Sequence, residues 1–184
     1  MTECLILGQS GIGKTSLVAE LVNRGCLAYD ADDNDCVPGL SGWFDVDGRP
    51  CDYNNDPAWR AEHQFLWDMP TVRDLAEARD RSRPLYFAGT AQNDLRAVQF
   101  FTHTVALDAT VEAYCQRRAS ENRAARYPVD NSNEHKAWLM EVLPGLRIAW
   151  RALGIVVLDT TYISTSQVAD RVTALVDLCA PAKT

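Results

Sequence analysis

Three features are missing from this chain, and each absence narrows what it can be. No apolar run approaches the roughly 20 residues that a helix needs to cross a bilayer, so no membrane-spanning segment is expected. The N-terminus lacks a basic segment followed by an apolar stretch and a cleavage site, so no secretory signal is expected. The six cysteines include no C-x-x-C pair, which leaves zinc and thioredoxin-like sites unsupported. Cys4, Cys26 and Cys179 lie in apolar patterns and are predicted to be buried thiols of a reduced, cytoplasmic protein.

Basic residues are also in deficit. The chain has 18 Lys and Arg against 25 Asp and Glu, which gives a net charge of −7 and a pI near 4.9. Nucleic acids and anionic membranes bind to basic surfaces, so neither is expected as a partner. A small anion held in a local basic pocket is compatible with this balance. A hydrophobic content of 47% in 184 residues predicts a single globular domain over residues 1–184. The expected assembly, which the composition does not decide, is a monomer or a homodimer.

Short apolar runs alternate with helical patterns along most of the chain. The predicted strands cover residues 3–7, 26–30, 84–89, 103–108 and 154–159. The first predicted helix follows the first strand. A second runs from 57 toward 67, and a third starts at Thr71. The others cover 92–100, 110–122, 132–151 with an interruption at Pro144-Gly145, and the segment from Val168. This pattern predicts an α/β fold of three layers, with a five-stranded parallel sheet covered by helices on both faces. Residues 31–56 lack periodicity and predict either a long loop or a small insert with a hairpin at Asp47-Gly48.

The stretch from Gly8 to Thr15, GQSGIGKT, matches the phosphate-binding pattern G-x-x-x-x-G-K-[ST]. Its glycines allow the backbone to curl until several N–H groups point at one anion, and the predicted helix adds its N-terminus. Lys14 can reach the β- and γ-phosphates, and the Thr15 hydroxyl can ligate Mg²⁺. The predicted nucleotide contacts of this loop are Gly8, Ser10, Gly11, Ile12, Gly13, Lys14, Thr15 and Ser16.

The acid that steadies Mg²⁺ must be chosen among three aspartates at predicted strand ends, Asp30, Asp108 and Asp159. In a sheet of this kind the strand beside the first one is PLYFAG, and it ends without a carboxylate. The second strand instead ends in YDADD, at the carboxyl edge where open α/β sheets bind ligands. Asp30 and Asp32 project to the same side if that strand continues, so one could hold metal-bound water while the other accepts a hydroxyl proton.

On these motifs the sequence resembles the small P-loop kinases of the adenylate kinase, shikimate kinase and gluconate kinase group. The segments that carry the resemblance are GQSGIGKTSL, YDADD, LDATVEAYCQRR and VVLDTT. The resemblance implies ATP and Mg²⁺ as cofactors, Asp30 as the acid associated with Mg²⁺, and Asp32 as the contact to the acceptor hydroxyl. It also implies that Arg117 stacks on adenine, with Asp159, Thr160 and Thr161 bordering it. The third strand lacks both the Asp-Gly of adenylate kinases and the triple glycine of shikimate kinases.

A lid over residues 117–131 is a further implication of the resemblance. Lid arginines of this group clamp the transferred phosphoryl group, and this segment supplies Arg118, Arg123 and Arg126 at a spacing unlike that of adenylate kinases. Arg118 and Arg123 are the predicted catalytic arginines, beside Lys14 and the base Asp32.

The acceptor site is assigned to an insert at residues 36–69, which is rich in aromatic residues. These aromatics can form the insert's own small core or line a pocket for a ring. Trp43 and Arg49, in the stretch 39–50, are the predicted acceptor contacts there, and Gly89-Thr90 and Asn93 are the candidates beside the glycine loop.

Three functions fit these observations. The first is an ATP- and Mg²⁺-dependent kinase that phosphorylates a hydroxyl of a small-molecule acceptor. The second is a nucleoside monophosphate kinase, which needs at least two acceptor-side arginines from Arg49, Arg60, Arg73 and Arg96. The third is a nucleotide-binding regulatory module with little or no phosphoryl transfer, which the missing acid on the third strand favours.

Overall fold

The computed structural model describes residues 3–33, 35–54, 56–77, 83–119 and 133–178. The strands, in chain order, are β1 (Glu3–Leu7), β2 (Leu27–Asp30), β3 (Ser41–Phe44), β4 (Pro50–Cys51), β5 (Gln64–Trp67), β6 (Leu85–Ala88), β7 (His103–Asp108) and β8 (Val156–Asp159). The helices are α1 (Lys14–Asn23), α2 (Pro57–Glu62), α3 (Met69–Glu77), α4 (Val111–Arg118), α5 (Asn133–Ala152) and α6 (Thr165–Leu178), with a 3₁₀ helix at Asp94–Phe100.

Five strands form one parallel sheet in the order β2-β6-β1-β7-β8. The prediction that the PLYFAG strand lies beside the first one is confirmed, since Leu5 pairs with Phe87. Parallel neighbours need crossover connections, and the helices between the strands provide them. The carboxyl ends of β1, β2 and β6 therefore meet at one edge of the sheet, which is the edge that carries the glycine loop.

The sheet is covered on both faces, which explains why its strands are continuous apolar runs. Cys4 and Ile6 of β1 point into one buried cluster, and Leu5 and Leu7 point into the other, as strand alternation requires. The first cluster is shared with α1, α4, α5 and α6, and the second with α3, the 3₁₀ helix and Trp67 of β5. The predicted three-layer α/β architecture is confirmed.

A separate three-stranded antiparallel sheet, in the order β4-β3-β5, forms the insert at residues 36–69. The hairpin expected at Asp47-Gly48 joins β3 to β4, and Gly48 adopts a left-handed φ of 77° that suits glycine. The prediction of a helix running from 57 toward 67 is wrong in its second half. The helix ends at Glu62, and residues 64–67 are drawn into β5 by pairing with β3, with Trp67 opposite Ser41.

Two helix details also differ from expectation. The N-terminus of α3 is capped by Asp68, whose Oδ2 accepts from both the N–H and the hydroxyl of Thr71, so Thr71 is a partner of the cap and lies inside the helix. The interruption expected at Pro144-Gly145 does not occur, because α5 continues through Pro144 to Ala152.

The thiol predictions are partly tested. Cys4 is fully buried and Cys26 is half-buried, while Cys179 falls outside the described residues. Among the residues that the structure describes, no helix is long and apolar enough to cross a membrane.

Candidate active site

The glycine loop connects β1 to α1 and brings the N-terminus of that helix to the edge of the sheet. Gly13 occupies the N-cap position with a φ of 105°, and α1 begins at Lys14. The carbonyl of Gly13 accepts from the N–H of Leu17 at 3.0 Å, which leaves the first N–H groups of the helix directed at the loop. Thr15 and Ser16 are exposed in this first turn. The arrangement is a site for a phosphate anion.

The Lys14 side chain is buried and folds back over the loop. Its Nζ donates to the carbonyl of Gly8 at 2.7 Å and to the hydroxyl of Thr90 at 2.6 Å. The same nitrogen lies 3.8 Å from Oδ2 of Asp32. The lysine that begins α1 and the aspartate that follows β2 therefore lie close together, although β6 separates β1 from β2 in the sheet.

Asp30 and Asp32 are held by a tight turn at the end of β2. The two side chains were expected to project to the same side only if the strand continued to Asp32. The strand stops at Asp30, so this expectation does not apply. Instead, Oδ1 of the buried Asp30 accepts from the N–H of Asp32 at 3.1 Å. The turn aims the Asp32 carboxylate at the strand-end loop of β6, where the Thr90 N–H donates to Oδ1 at 2.8 Å and to Oδ2 at 3.1 Å.

The electrostatics of Asp32 are set by opposing effects. Burial raises its pKa, and the nearby charge of Asp30 adds to that rise. Lys14, the Thr90 N–H and the indole of Trp67 act in the other direction. The side chain retains 32% of its surface, so water screens the effect of burial and an incoming molecule could reach the carboxylate.

Gly89 and Trp67 close one side of this carboxylate. A Cβ on Gly89 would lie 2.5 Å from Cζ2 of Trp67 and 2.8 Å from Oδ1 of Asp32, so only glycine fits. Trp67 is 2% exposed, and its ring packs edge-on against Phe87. Its Nε1 meets no acceptor at hydrogen-bond geometry among the described residues, although the indole lowers the pKa of Asp32.

Asn93 joins the insert to the glycine-loop edge. Its Oδ1 accepts from the Trp67 N–H at 3.0 Å, and its Nδ2 donates to the Trp67 carbonyl at 2.9 Å. The carboxamide predicted to contact the acceptor is therefore bonded to the backbone of β5. Gly89, another predicted acceptor contact, lies directly beside Asp32, because a Cβ on this glycine would be 2.8 Å from Asp32 Oδ1.

Asp94 is a candidate site residue that sequence reasoning missed, and both Lys14 and Asp32 act on its charge. It opens the 3₁₀ helix after β6, and burial raises its pKa to about 6, with Lys14 lowering and Asp32 raising it. The signal that could have found it is positional: the strand that lacks a terminal acid carries one six residues beyond its end.

Arg117 and Arg118 end α4 and both contact the glycine loop. Arg117 donates to the Ile12 carbonyl at 3.1 Å and to the Thr160 hydroxyl at 3.0 Å, with a further bond to the Thr160 carbonyl. Arg118 is 3% exposed and donates from Nε to the Ser10 carbonyl at 3.1 Å. The segment of Asp159, Thr160 and Thr161, predicted to border adenine, is thus brought to the loop together with Arg117.

The lid beyond residue 119, with Arg123 and Arg126, lies outside the described residues.

The predicted acceptor contacts Trp43 and Arg49 lie in the insert. Trp43 packs with Tyr53, Trp59 and Phe65 at ring-centroid distances of 5.2 to 5.5 Å. Arg49 is 75% exposed and pairs with Asp47 at 3.1 Å. Neither has a contact with the glycine loop or with Asp32 among those that the structure describes. The aromatic residues pack against one another, but none of the four is buried and Tyr53 is 46% exposed.

The alternative strand-end acids have other partners. Asp108 receives a two-pronged ion pair from Arg147, with Nε at 2.6 Å from Oδ2 and a second guanidinium nitrogen at 3.0 Å from Oδ1. Asp159 accepts from the Thr161 N–H at 2.8 Å, and hydrogen bonds from Thr161 lower its pKa. Asp30 is the strand-end acid whose carboxylate is hydrogen-bonded to Asp32.

Comparison with known proteins identifies the fold. A shikimate kinase from Acinetobacter baumannii, solved in complex with shikimate, superposes with a TM-score of 0.62 at 17% identity, over 100% of this chain and 96% of that one. A shikimate kinase from Bacteroides thetaiotaomicron gives 0.60 at 13% identity, over 96% and 98%. No family model matches the sequence, and no curated protein does. The likeness confirms the P-loop fold of the small kinases, which is the resemblance that the motifs predict.

Proposed function

We propose that this protein is an ATP-dependent kinase that transfers the γ-phosphoryl group to a hydroxyl of a small-molecule acceptor. The observation that carries the proposal is the 3.8 Å approach of Lys14 Nζ to Asp32 Oδ2 at the N-terminus of α1. A loop that only binds nucleotide with Mg²⁺ needs one carboxylate, which Asp30 can supply, and has no need of Asp32 as well. Phosphoryl transfer needs both a cation for the charge that develops on phosphate and a base for the acceptor proton.

The proposed roles follow from position. The N–H groups of the glycine loop and Lys14 hold the phosphates, and Asp32 orients the acceptor hydroxyl and takes its proton. Arg117 and Thr160 border the base of the nucleotide, with Asp159 and Thr161 beside them. Arg118 lies on the loop backbone at Ser10, where its charge offsets that of the phosphates. Residues 117–131 would form the lid and residues 36–69 the acceptor-binding insert of this single domain, and Arg123 remains a candidate lid arginine.

The residues at the loop edge fit Mg²⁺. Thr15 presents an exposed hydroxyl in the first turn of α1, and Asp30 is a buried carboxylate at the end of β2. No group of three or more metal-ligating side chains occurs among the described residues. One hydroxyl and one carboxylate form the kind of donor set that Mg²⁺ takes in nucleotide sites, where phosphates and water supply most of the ligands and the protein supplies one or two. When bound, the ion would neutralise charge on the transferring phosphate.

A hydroxyl acceptor is favoured over a nucleoside monophosphate by the state of two of the four candidate acceptor-side arginines. Arg49 and Arg73 are exposed and pair with Asp47 and Asp74, respectively. An acceptor that carried its own phosphate would need such charges turned into the cleft.

The test is phosphoryl transfer from γ-labelled ATP to two panels, hydroxylated metabolites and nucleoside monophosphates. With the acceptor that reacts, Asp32→Asn should lower turnover by roughly 10²- to 10⁴-fold, the usual effect of losing a general base. ATP binding should persist. The matched control is Asp170→Asn, which removes an exposed carboxylate on α6 and should leave turnover unchanged.

Three results would redirect the proposal. Turnover of Asp32→Asn within about threefold of the wild type would remove Asp32 as the base. Transfer to nucleoside monophosphates alone would support the second function. ATP binding without transfer to any acceptor would support a regulatory module.

A further inference from the structure

We propose that Thr90 is a positioning residue that sets the spacing between Lys14 and Asp32. This inference rests on the proposed function for its effect on turnover, and on geometry alone for the contacts themselves. Thr90 directly follows Gly89 after β6, at the strand end where the expected acid is missing.

The Thr90 hydroxyl is used in both of its capacities. It accepts from Lys14 Nζ at 2.6 Å and donates to the Gly8 carbonyl. Lys14 Nζ also donates to that same carbonyl at 2.7 Å, so the three groups close a small ring of hydrogen bonds. A hydroxyl is the group that can accept from an ammonium and donate to a carbonyl at once. Serine could replace it, whereas the isosteric valine could do neither.

The backbone of the same residue holds the other partner. The Thr90 N–H is shared between the two oxygens of Asp32, at 2.8 and 3.1 Å. One residue therefore fixes the cation through its side chain and the carboxylate through its main chain. Without the hydroxyl, Lys14 would keep the Gly8 carbonyl but lose the partner that directs it toward the Asp32 side of the loop.

The first experiment does not depend on catalysis. The chain has three lysines, Lys14, Lys136 and Lys183, so ¹⁵N-lysine labelling gives a simple Nζ spectrum. In the nucleotide-free wild type, the Lys14 ammonium should exchange with water much more slowly than that of the exposed Lys136. Thr90→Val should speed this exchange by on the order of tenfold, because a hydrogen bond to a charged group is lost. Thr90→Ser should stay near the wild type.

A control variant removes a hydroxyl elsewhere. Thr173 donates to backbone carbonyls within α6, and Thr173→Val should not change the exchange of Lys14. Equal exchange of Lys14 in wild type and Thr90→Val would overturn the inference. So would wild-type exchange of Lys14 as fast as that of Lys136, a result that needs no variant to fold.

The second experiment measures turnover with whichever acceptor reacts. Thr90→Val should lower kcat by roughly tenfold or more while KM for the acceptor changes little, since the lost contact orients a phosphate-binding group. Thr90→Ser should recover most of kcat. An unchanged kcat in Thr90→Val would also overturn the inference. If the wild type transfers phosphate to no acceptor, the proposed function fails, and the exchange measurement still decides the role of Thr90.

Discussion

The side chain of Arg118 lies so close to Gly11 that a Cβ on this glycine would be 2.7 Å from the arginine Nε. Gly11 also has a φ of 98°, a conformation that side chains other than glycine rarely adopt. The loop is therefore shaped by two constraints, one of backbone conformation and one of contact with α4.

Gly11→Ala should consequently lower the free energy of unfolding by about 1–3 kcal/mol and weaken ATP binding. A double-mutant cycle with Arg118→Ala separates the two constraints. The double variant should recover roughly 1 kcal/mol relative to the sum of the single changes, because the clash is relieved while the backbone strain remains. Urea denaturation measures each corner of the cycle. Additivity of the two changes would show that the contact between Arg118 and Gly11 carries no energy.

Gly89 offers a test of steric contact without backbone strain. Its added Cβ would meet Trp67, Ala31 and Asp32 at 2.5 to 2.8 Å. Gly89→Ala should therefore push the Asp32 carboxylate away from Lys14 and reduce turnover by about tenfold or more, as displacement of a reacting group does. The measurement is kcat in the transfer assay with ATP.

The matched control for that change is Gly145→Ala. Gly145 lies inside α5, and a Cβ there would meet nothing within 4 Å. The free energy of unfolding of this variant should be higher than that of the wild type by up to about 1 kcal/mol, since alanine favours a helix more than glycine does. Its turnover should match the wild type. Equal losses of turnover in both variants would indicate a global effect and contradict the steric explanation for Gly89.

The main fold could be predicted because its signals are local. Each strand of the large sheet is a short apolar run, and the glycine loop marks β1 and α1 by a motif of fixed spacing. The neighbour of β1 follows from the topology of this kind of sheet. The small sheet was harder, because β5 follows a well-capped helix and its conformation is decided by pairing with β3, whose paired residues lie 20 to 26 positions away in sequence.

The candidate site divides in the same way. Lys14 and Asp32 could be predicted because each follows a strand whose end is visible in the sequence. Their approach depends on a turn after Asp30 and on the backbone of Thr90, which no periodicity encodes. Asn93 was predicted to contact the acceptor, but its carboxamide is bonded to Trp67, a pairing that arises only when the two sheets pack together.

The ion pair of Asp108 and Arg147 is predicted to support the fold and to take no part in phosphate chemistry. Asp108 is 9% exposed, and its two oxygens face the guanidinium of Arg147. Arg147→Gln should lower the free energy of unfolding by about 1–3 kcal/mol, because a largely buried carboxylate loses its charged partner.

Asp108→Asn tests the same pair from the other side. This variant should be destabilised to a similar extent while its Mg²⁺-dependent ATP binding, measured by calorimetry, stays within about threefold of the wild type. Loss of Mg²⁺ dependence with unchanged stability would instead identify Asp108 as the acid that serves the metal.

Asp94 should make stability depend on pH in a defined direction. Burial raises the pKa of this carboxyl from 3.8 to about 6, so the folded protein binds its proton more tightly than the unfolded chain does. The contribution of Asp94 to stability is therefore greatest below pH 4 and falls as the pH rises through about 6.

Asp94→Asn removes this titration. The unfolding free energy of the variant minus that of the wild type should rise by about 1–2 kcal/mol from pH 4 to pH 8. This magnitude allows for solvent screening of a half-buried group. Urea denaturation of both proteins across this range measures the change in their difference, and any constant offset from lost hydrogen bonds cancels. A difference that stays flat from pH 4 to pH 8 would mean that the pKa of Asp94 is the same in the folded and unfolded states.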